Sequence, residues 1–391
     1  MTPPADLLQQ FEAAFGRQAV IAASAPGRVN LIGEHLDYNG GLALPCAIDR
    51  RAWVLAAPLG DGQVQIQAAD YGQSAVFDLA DLEPAGASQM AGWARYPAGV
   101  AWSLLQAGHP LSGLQALVSS QVPIGAGLSS SAALEVAFAS VWLGLAEVQV
   151  EPLALARLCQ RAENDYVGVE SGLLDQWTAI EARASQALLL DFSAMTSRPI
   201  RFPDDISLVV ADSGVQRQLA TVGYNQRVEQ CRQALSLLRR KLPQLGSLSD
   251  LTGEQWPAVQ PVLPPELARR VRHVFEENRR VEQAVAALQA GDSAEMGRLL
   301  IAGHQSLRDL YEVSHPQVDE LVEMALASPG CFGARLTGAG FGGSTINWVE
   351  RQRADAFADH LRRSADQRWG RQVDVWLCQP AQGASVMRLT G

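Results

Sequence analysis

The stretch VPIGAGLSSSAALEVAFA, Val122 to Ala139, restricts the fold of this chain more than any other. Pro123, Gly125 and Gly127 are spaced by single residues, Ser129, Ser130 and Ser131 follow, and a helix-forming run extends from Ala132 to Trp142. Glycine permits positive φ and close approach to its backbone. The stretch therefore reads as a bent loop opening a helix, with Ser129 or Ser130 as N-cap and Glu135 in about the first turn. Free N–H groups and the helix dipole make such a terminus attractive to anions. A serine-capped turn into a buried helix accounts for most single glycine loops, but one serine would suffice for it. The pattern G-x-x-x-x-G-K-[ST] occurs nowhere, and the third glycine of a dinucleotide fingerprint is missing.

With 391 residues the chain exceeds one compact core, so two domains are expected, residues 1–197 and 198–391, parting near Ser197. A hydrophobic content of 48% and a charged content of 18% describe a globular protein. The formal net charge of −10 argues against nonspecific nucleic-acid binding, which needs clustered cations. Lys241 is the single lysine, so a phosphate site here must rely on arginine, helix termini and a metal ion. Cys46, Cys159, Cys231, Cys331 and Cys378 form no C-x-x-C pair, which disfavours a disulfide framework and implies a reducing compartment. The N-terminus has no signal-peptide pattern, and the apolar run Leu128 to Ala146 contains Glu135 and reads as a buried helix. A cytoplasmic protein without membrane attachment is expected.

Alternation from Ala52 to Phe77 predicts two antiparallel strands around Gly60-Asp61-Gly62. Further strands are predicted at Gly113 to Ser119, Ala187 to Asp191, Ile206 to Asp212, Asp374 to Leu377 and Ser385 to Leu389. Helical spacing appears from Trp93 to Gln106, Pro152 to Val167, Tyr224 to Arg240, Glu266 to Ala290, Glu295 to Asp309 and Gln317 to Ala327. Antiparallel strands with helices give an α+β class. A loop between strand-like pieces gathers Arg28, Asn30, Glu34, His35, Asp37, Tyr38 and Asn39, and loops held by strands are where binding residues concentrate. Asp175 lies among Leu173, Leu174, Trp177 and Ile180, where a carboxylate needs a partner.

Three motifs stand in a fixed order: GRVNLIGEHLDYNGG from Gly27, VPIGAGLSSSAALEVA from Val122 and RLTGAGFGGSTI from Arg335. Together they resemble the GHMP small-molecule kinases, and the first resembles the galactokinases in particular. RAENDYVGVESGLLDQ, GYNQRVEQC and LYEVSHPQVDELV extend the similarity over almost the whole chain. The resemblance implies a two-domain GHMP kinase fold with mixed sheets, helices and a cleft between the domains. It implies ATP-dependent phosphorylation of the anomeric hydroxyl of galactose, giving α-D-galactose 1-phosphate, with ATP and Mg²⁺ as cofactors and a monomeric enzyme.

By the same resemblance, Asp175 faces the anomeric hydroxyl with Arg28 as its cationic neighbour. An arginine beside a carboxylate favours its ionised form, which suits positioning and late proton transfer, and Arg28 can stabilise the transferred phosphoryl group. Ser130 and Glu163 resemble the Mg²⁺ ligands. Gly125, Ala126, Gly127, Leu128, Ser129, Ser130 and Ser131 resemble the ATP-binding loop; the adenine pocket is not legible residue by residue, and the resemblance offers only Trp93 and nearby polar residues as candidates. Glu34, His35, Asp37, Gly172 and Tyr224 match sugar-contacting positions. Leu36, Ser171 and Trp177 stand where threonine, cysteine and phenylalanine are common in the family. Leu36 and Ser171 bear on the choice of sugar, so a kinase for N-acetylgalactosamine or arabinose is the alternative. A non-catalytic sugar sensor is a second alternative, opposed by the intact Ser131-Ala132, Arg28 and Asp175.

Overall fold

The computed structural model describes residues 1–90, 92–215 and 220–389. In chain order the first elements are α1 (Ala5–Phe15), β1 (Ile21–Asn30), β2 (Leu42–Ala43), β3 (Pro45–Pro58), β4 (Gln63–Ala68), β5 (Gln73–Asp78), α2 (Arg95–Gln106) and β6 (Leu114–Ser120). Next come α3 (Ser130–Leu145), α4 (Pro152–Arg161), α5 (Leu174–Glu181), β7 (Gln186–Asp191), β8 (Thr196–Arg201), β9 (Ile206–Asp212) and α6 (Ala220–Leu238). The remainder comprises α7 (Trp256–Val259), α8 (Pro265–Ala290), α9 (Ser293–Ser306), α10 (Pro316–Leu326), β10 (Cys331–Leu336), β11 (Ser344–Glu350), α11 (Ala354–Trp369), β12 (Val375–Cys378) and β13 (Ser385–Arg388).

The strands form a six-stranded sheet in the order β13-β1-β3-β6-β4-β5, a four-stranded sheet β10-β11-β9-β12 and a three-stranded sheet β2-β7-β8. Alternate residues of the first sheet serve two cores, as the two-residue period of a strand requires. Trp53, Leu55 and Leu117 meet Leu7 and Phe11 of α1 on one face. Val54, Val64 and Val118 meet Trp102, Phe138 and Trp142 of α2 and α3 on the other. Helix α3 is apolar around most of its circumference, which marks a fully enclosed helix; its residues Ala132, Val136, Phe138 and Trp142 are all buried.

The strands predicted around Gly60-Asp61-Gly62 exist but are not partners. β3 pairs with β1 and β6, while β4 pairs antiparallel with β5 and parallel with β6. Alternation specifies a strand and its faces, not its neighbour. The link passes over the start of β6, where Gly113 N–H donates to the Asp61 carbonyl at 3.0 Å and a Cβ at Gly113 would lie 2.3 Å from that oxygen. Helix α11 and strand β8 were not expected from the sequence. Helix α3 begins at Ser130, and Glu135 lies beyond its first turn, fully buried.

Two helices end in π turns: Ala162–Val167 continues α4 and carries Glu163, and Leu307–Tyr311 continues α9 and carries Tyr311. Such turns re-aim side chains and recur at functional sites. A register shift between Pro26 and Arg28 in the β1–β3 ladder does the same for Arg28. Helix α9 crosses β10 with its backbone almost in contact: a Cβ on Gly297 would lie 2.1 Å from the Phe332 carbonyl oxygen. Gly297→Ala therefore forces two backbones apart and should lower stability by about 1–3 kcal/mol. Urea denaturation of the variant checks this, and an unchanged midpoint would contradict the packing.

Candidate active site

Arg28 leaves the bulged end of β1 and organises one wall of a cleft. Its Nε donates to Asp175 Oδ1 at 2.7 Å and its Nη2 to Asp175 Oδ2 at 2.8 Å, a fork onto a carboxylate in the first turn of α5. Its Nη1 donates to the Gly127 carbonyl at 2.7 Å, and its backbone N–H to the Leu128 carbonyl at 3.0 Å. One arginine thus ties the strand, the glycine loop and α5 together. Ser129 does not cap α3 with its side chain as expected; its hydroxyl donates to Asp175 Oδ2 instead, and its backbone lies at φ 60°.

The glycine loop turns its carbonyls inward. Ala126 O accepts from Ser344 Oγ at 2.7 Å, and the Gly127 and Leu128 carbonyls accept from Arg28. In a trans peptide the N–H points opposite the carbonyl, so the N–H groups of Gly127, Leu128 and Ser129 are turned to the other side of the loop. Ala126 and Leu128 are buried, so only their backbones could serve a ligand. Gly125, Ser130 and Ser131 open onto a cavity of about 470 Å³ with Trp93, Tyr96, Tyr71 and Ile124.

A second cavity, of about 200 Å³, brings together Arg28, Glu34, His35, Asp37, Glu163, Gly172, Asp175 and Tyr224. Every expected sugar-contacting residue therefore shares one space with Arg28 and Asp175. A Cβ at Gly172 would fall 1.5 Å from Asp37 Oδ2, which explains why glycine is needed there. Asn30 and Ser171, both noted from the sequence, line the cavity too, together with Asn225, Gly338 and Ala339, which were not singled out there.

The charges are arranged in series. Arg335, at the end of β10, donates through Nη2 to Glu34 Oε2 and through Nη1 to Glu277 Oε1 at 2.9 Å. Glu277, on α8, also takes the Gly33 N–H at 3.0 Å and Arg280 Nε at 2.7 Å. Burial opposes its charge, but two arginines outweigh that and hold Glu277 well below the usual carboxylate range. Glu34 has only a share of one arginine, and burial pushes it up to about 7. Burial, with the nearby Asp175 charge, pushes Asp37 up to about 6. Burial likewise lowers His35 to about 3, so its ring is neutral.

Glu163 is also raised by burial, partly offset by Ser171 Oγ donating to its Oε2 at 2.6 Å. Gln176 Nε2 donates to the same oxygen at 2.9 Å and to Glu135 Oε2 at 3.0 Å, so one amide bridges two buried carboxyls. Glu135 was noted from the sequence only as a member of a buried apolar helix, and Gln176, next to Asp175, was not singled out.

Three family models match the chain: the galactokinase galactose-binding signature over residues 9–58, the GHMP kinases N terminal domain over 95–182 and the GHMP kinases C terminal domain over 284–367. A galactokinase of Roseiflexus sp. (strain RS-1) is 43% identical over 383 residues, covering 98% of this chain and 97% of that one. The chain belongs to the galactokinase family. A second family member, from Chloroflexus aggregans, is 43% identical with 96% of each chain covered. The crystal structure of Lactococcus lactis galactokinase complexed with galactose superposes with a TM-score of 0.92 at 33% identity, covering 97% of this chain and 99% of that one. Methanococcus jannaschii mevalonate kinase, at 18% identity and a TM-score of 0.67 over 94% of this chain and all of that one, shares the GHMP fold. The family's fold is therefore the α+β architecture expected from sequence.

The raised Glu34 value carries a stability consequence. Its carboxyl has an ordinary value of 4.5 and a folded value of about 7. The neutral acid favours the folded state, so this contribution is complete below pH 4.5 and is lost as pH rises through 7. The stability advantage of wild type over Glu34→Gln should therefore shrink by up to about 3 kcal/mol between pH 5 and pH 8. Urea titrations at both pH values measure it; parallel pH dependences would refute it.

Proposed function

We propose that the protein transfers the γ-phosphoryl group of ATP to the anomeric hydroxyl of galactose, giving α-D-galactose 1-phosphate and ADP. The observation that carries this reading is the Arg28–Asp175 fork, which stands at the junction of a polar cavity and a glycine loop. The galactose-binding signature over residues 9–58 and the similarity to a galactose-complexed relative support the sugar.

In this reading the sugar occupies the cavity of Glu34, His35, Asp37, Gly172 and Tyr224. Carboxylates accept from its hydroxyls, and a sugar that leaves one unmatched is disfavoured strongly. Asp175 receives the anomeric hydroxyl. Its oxygens already accept from Arg28 and Ser129, so it acts by orienting the nucleophile and taking the proton late. Arg28 is positioned to stabilise charge on the moving phosphoryl group.

The nucleotide follows from the second cavity, which shares Gly125, Ser130 and Ser131 with the loop and offers Trp93 and Tyr96 for a base. The outward N–H groups of Gly127, Leu128 and Ser129 would take the phosphates. Among the described residues no cluster of three His, Cys, Asp or Glu could hold a metal. The expected Mg²⁺ ligands line separate cavities, Ser130 the second and Glu163 the first; a hydroxyl and a carboxylate are the donor types Mg²⁺ takes, and it fills its octahedron with phosphate and water. When bound, that ion would neutralise charge on the phosphates.

The cleft would lie between residues 1–197 and 198–391. Arg28 and Asp175 line the sugar cavity from the first part, and Tyr224, Asn225 and Ala339 from the second. The enzyme would act as a monomer in the cytoplasm. Five free cysteines favour a reducing compartment. Among the described residues no helix is long and apolar enough to cross a membrane.

ADP release with Mg²⁺ and ATP over galactose, N-acetylgalactosamine, arabinose and glucose tests the reading. Turnover should be strongest with galactose. Asp175→Asn should lose on the order of 10²- to 10⁴-fold in kcat, and near-normal turnover in that variant would remove the role given to Asp175. Sugar-dependent ATP binding without turnover in wild type would favour the sensor instead.

A further inference from the structure

His35 sits at φ 65°, in the left-handed region that side chains other than glycine rarely occupy. Asn39 holds this conformation: its Nδ2 donates to the His35 carbonyl at 2.8 Å. The same contact fixes which end of the Asn39 amide carries hydrogen. Its Nδ2 also lies 3.6 Å from Cys231 Sγ. Cys231 Sγ is 3.2 Å from Tyr311 Oη, Tyr311 Oη is 2.8 Å from Tyr38 Oη, and Tyr38 Oη is 2.8 Å from His35 Nδ1. The chain runs from one amide to one ring nitrogen entirely inside the protein.

We propose that Asn39, Cys231, Tyr311 and Tyr38 form a one-way hydrogen-bond relay that fixes His35 as its Nε2–H tautomer, so that this pocket histidine meets its ligand as a donor. The proposal rests on the sugar-site reading for the ligand but not for the tautomer. An amide NH₂ only donates, so the Cys231 sulfur accepts from Asn39 and its own S–H goes to Tyr311. The Tyr311 hydroxyl, having accepted, donates to Tyr38, and Tyr38 donates to His35 Nδ1. Burial keeps the thiol and both phenols protonated, so each passes on one hydrogen.

The opposite direction fails at Cys231. His35 Nδ1–H would donate to Tyr38, Tyr38 to Tyr311 and Tyr311 to Cys231. The sulfur would then accept twice, and its S–H would have no acceptor in a site where Cys231 is 3% exposed. Nε2 itself is buried and has no hydrogen-bond partner among the described residues. A donor there suits an incoming hydroxyl oxygen. The ring is also clamped, with centroids of Tyr311, Tyr224 and Tyr38 at 4.7, 5.6 and 5.9 Å, so the relay and not rotation decides what it presents.

Tyr38, Tyr311 and Cys231 are therefore positioning residues acting through His35. The test is long-range ¹H–¹⁵N correlation on ¹⁵N-histidine-labelled, ligand-free protein near pH 7.5, with His35 assigned by the signals lost in His35→Gln. Wild type should show His35 Nδ1 unprotonated and Nε2 protonated. Tyr38→Phe and Cys231→Ala should move both nitrogens toward averaged values. Cys231→Ser, which still accepts and donates, should restore the wild-type pattern. Kinetically, Tyr38→Phe should raise KM for galactose on the order of 3- to 10-fold, the loss of about one hydrogen bond, with kcat and KM for ATP close to wild type. A protonated Nδ1 in wild type, or a tautomer unmoved by both Tyr38→Phe and Cys231→Ala, would overturn the relay. Absence of galactose turnover in wild type would instead count against the function, because the spectrum of the ligand-free protein is read without it.

Discussion

Everything around the sugar cavity depends on how three buried charges share one interior. Glu34, Arg335 and Glu277 are all fully or almost fully buried, and they come from the first motif, the third motif and the middle of α8. Removing a charge from water is expensive unless a partner returns the interaction. Arg335 stands between two carboxylates, and Arg280 supports only Glu277. The imbalance leaves Glu34 as the under-compensated member, with a raised value and with Oε1 lacking a partner among the described residues. A carboxyl held firmly on one oxygen and left open on the other is well suited to receive a polar ligand.

The third motif gains its meaning from the same interior. Its glycines allow the tight turn between β10 and β11, and its polar side chains fasten the other two motifs. Arg335 grips Glu34, the Thr337 hydroxyl donates to the Asn30 carbonyl at 3.0 Å, and the Ser344 hydroxyl donates to Ala126 O at 2.7 Å. The last of these bonds helps turn the loop carbonyls inward and its N–H groups outward. A residue far along the chain thus decides how the glycine loop presents itself.

Much of the site was legible beforehand because its residues cluster along the chain. The stretch of Arg28, Glu34, His35 and Asp37, which the structure divides between the end of β1 and the segment after it, is too rich in polar groups for an ordinary turn, and the serines after Gly127 exceed what a cap needs. The supporting residues were not legible for a definite reason. Glu135 sits inside an apolar helical run, and Gln176, Tyr311 and Cys231 stand singly in helical stretches of mixed character, where sequence cannot distinguish a satisfied core group from one bracing a ligand. The missed pairing of β3 with β6 has the same origin, since alternation reports faces and carries nothing about which strand lies beside which.

The sequence by itself determined the local chemistry: where the glycine loop bends, which helix it opens, which residues carry charge, and that phosphate must be met without a lysine. Those properties follow from backbone freedom, periodicity and side-chain type, all of which act over a few residues. Only the tertiary structure decided which carboxyls share an arginine, that Ser129 serves Asp175 and not the helix end, and which way the hydrogens run from Asn39 to His35. Such outcomes depend on burial and on partners far apart in the chain, from Ser129 and Asp175 at a separation of 46 to Arg335 and Glu34 at 301. In a water-poor interior, each polar group takes its state from whichever partner the fold brings within reach.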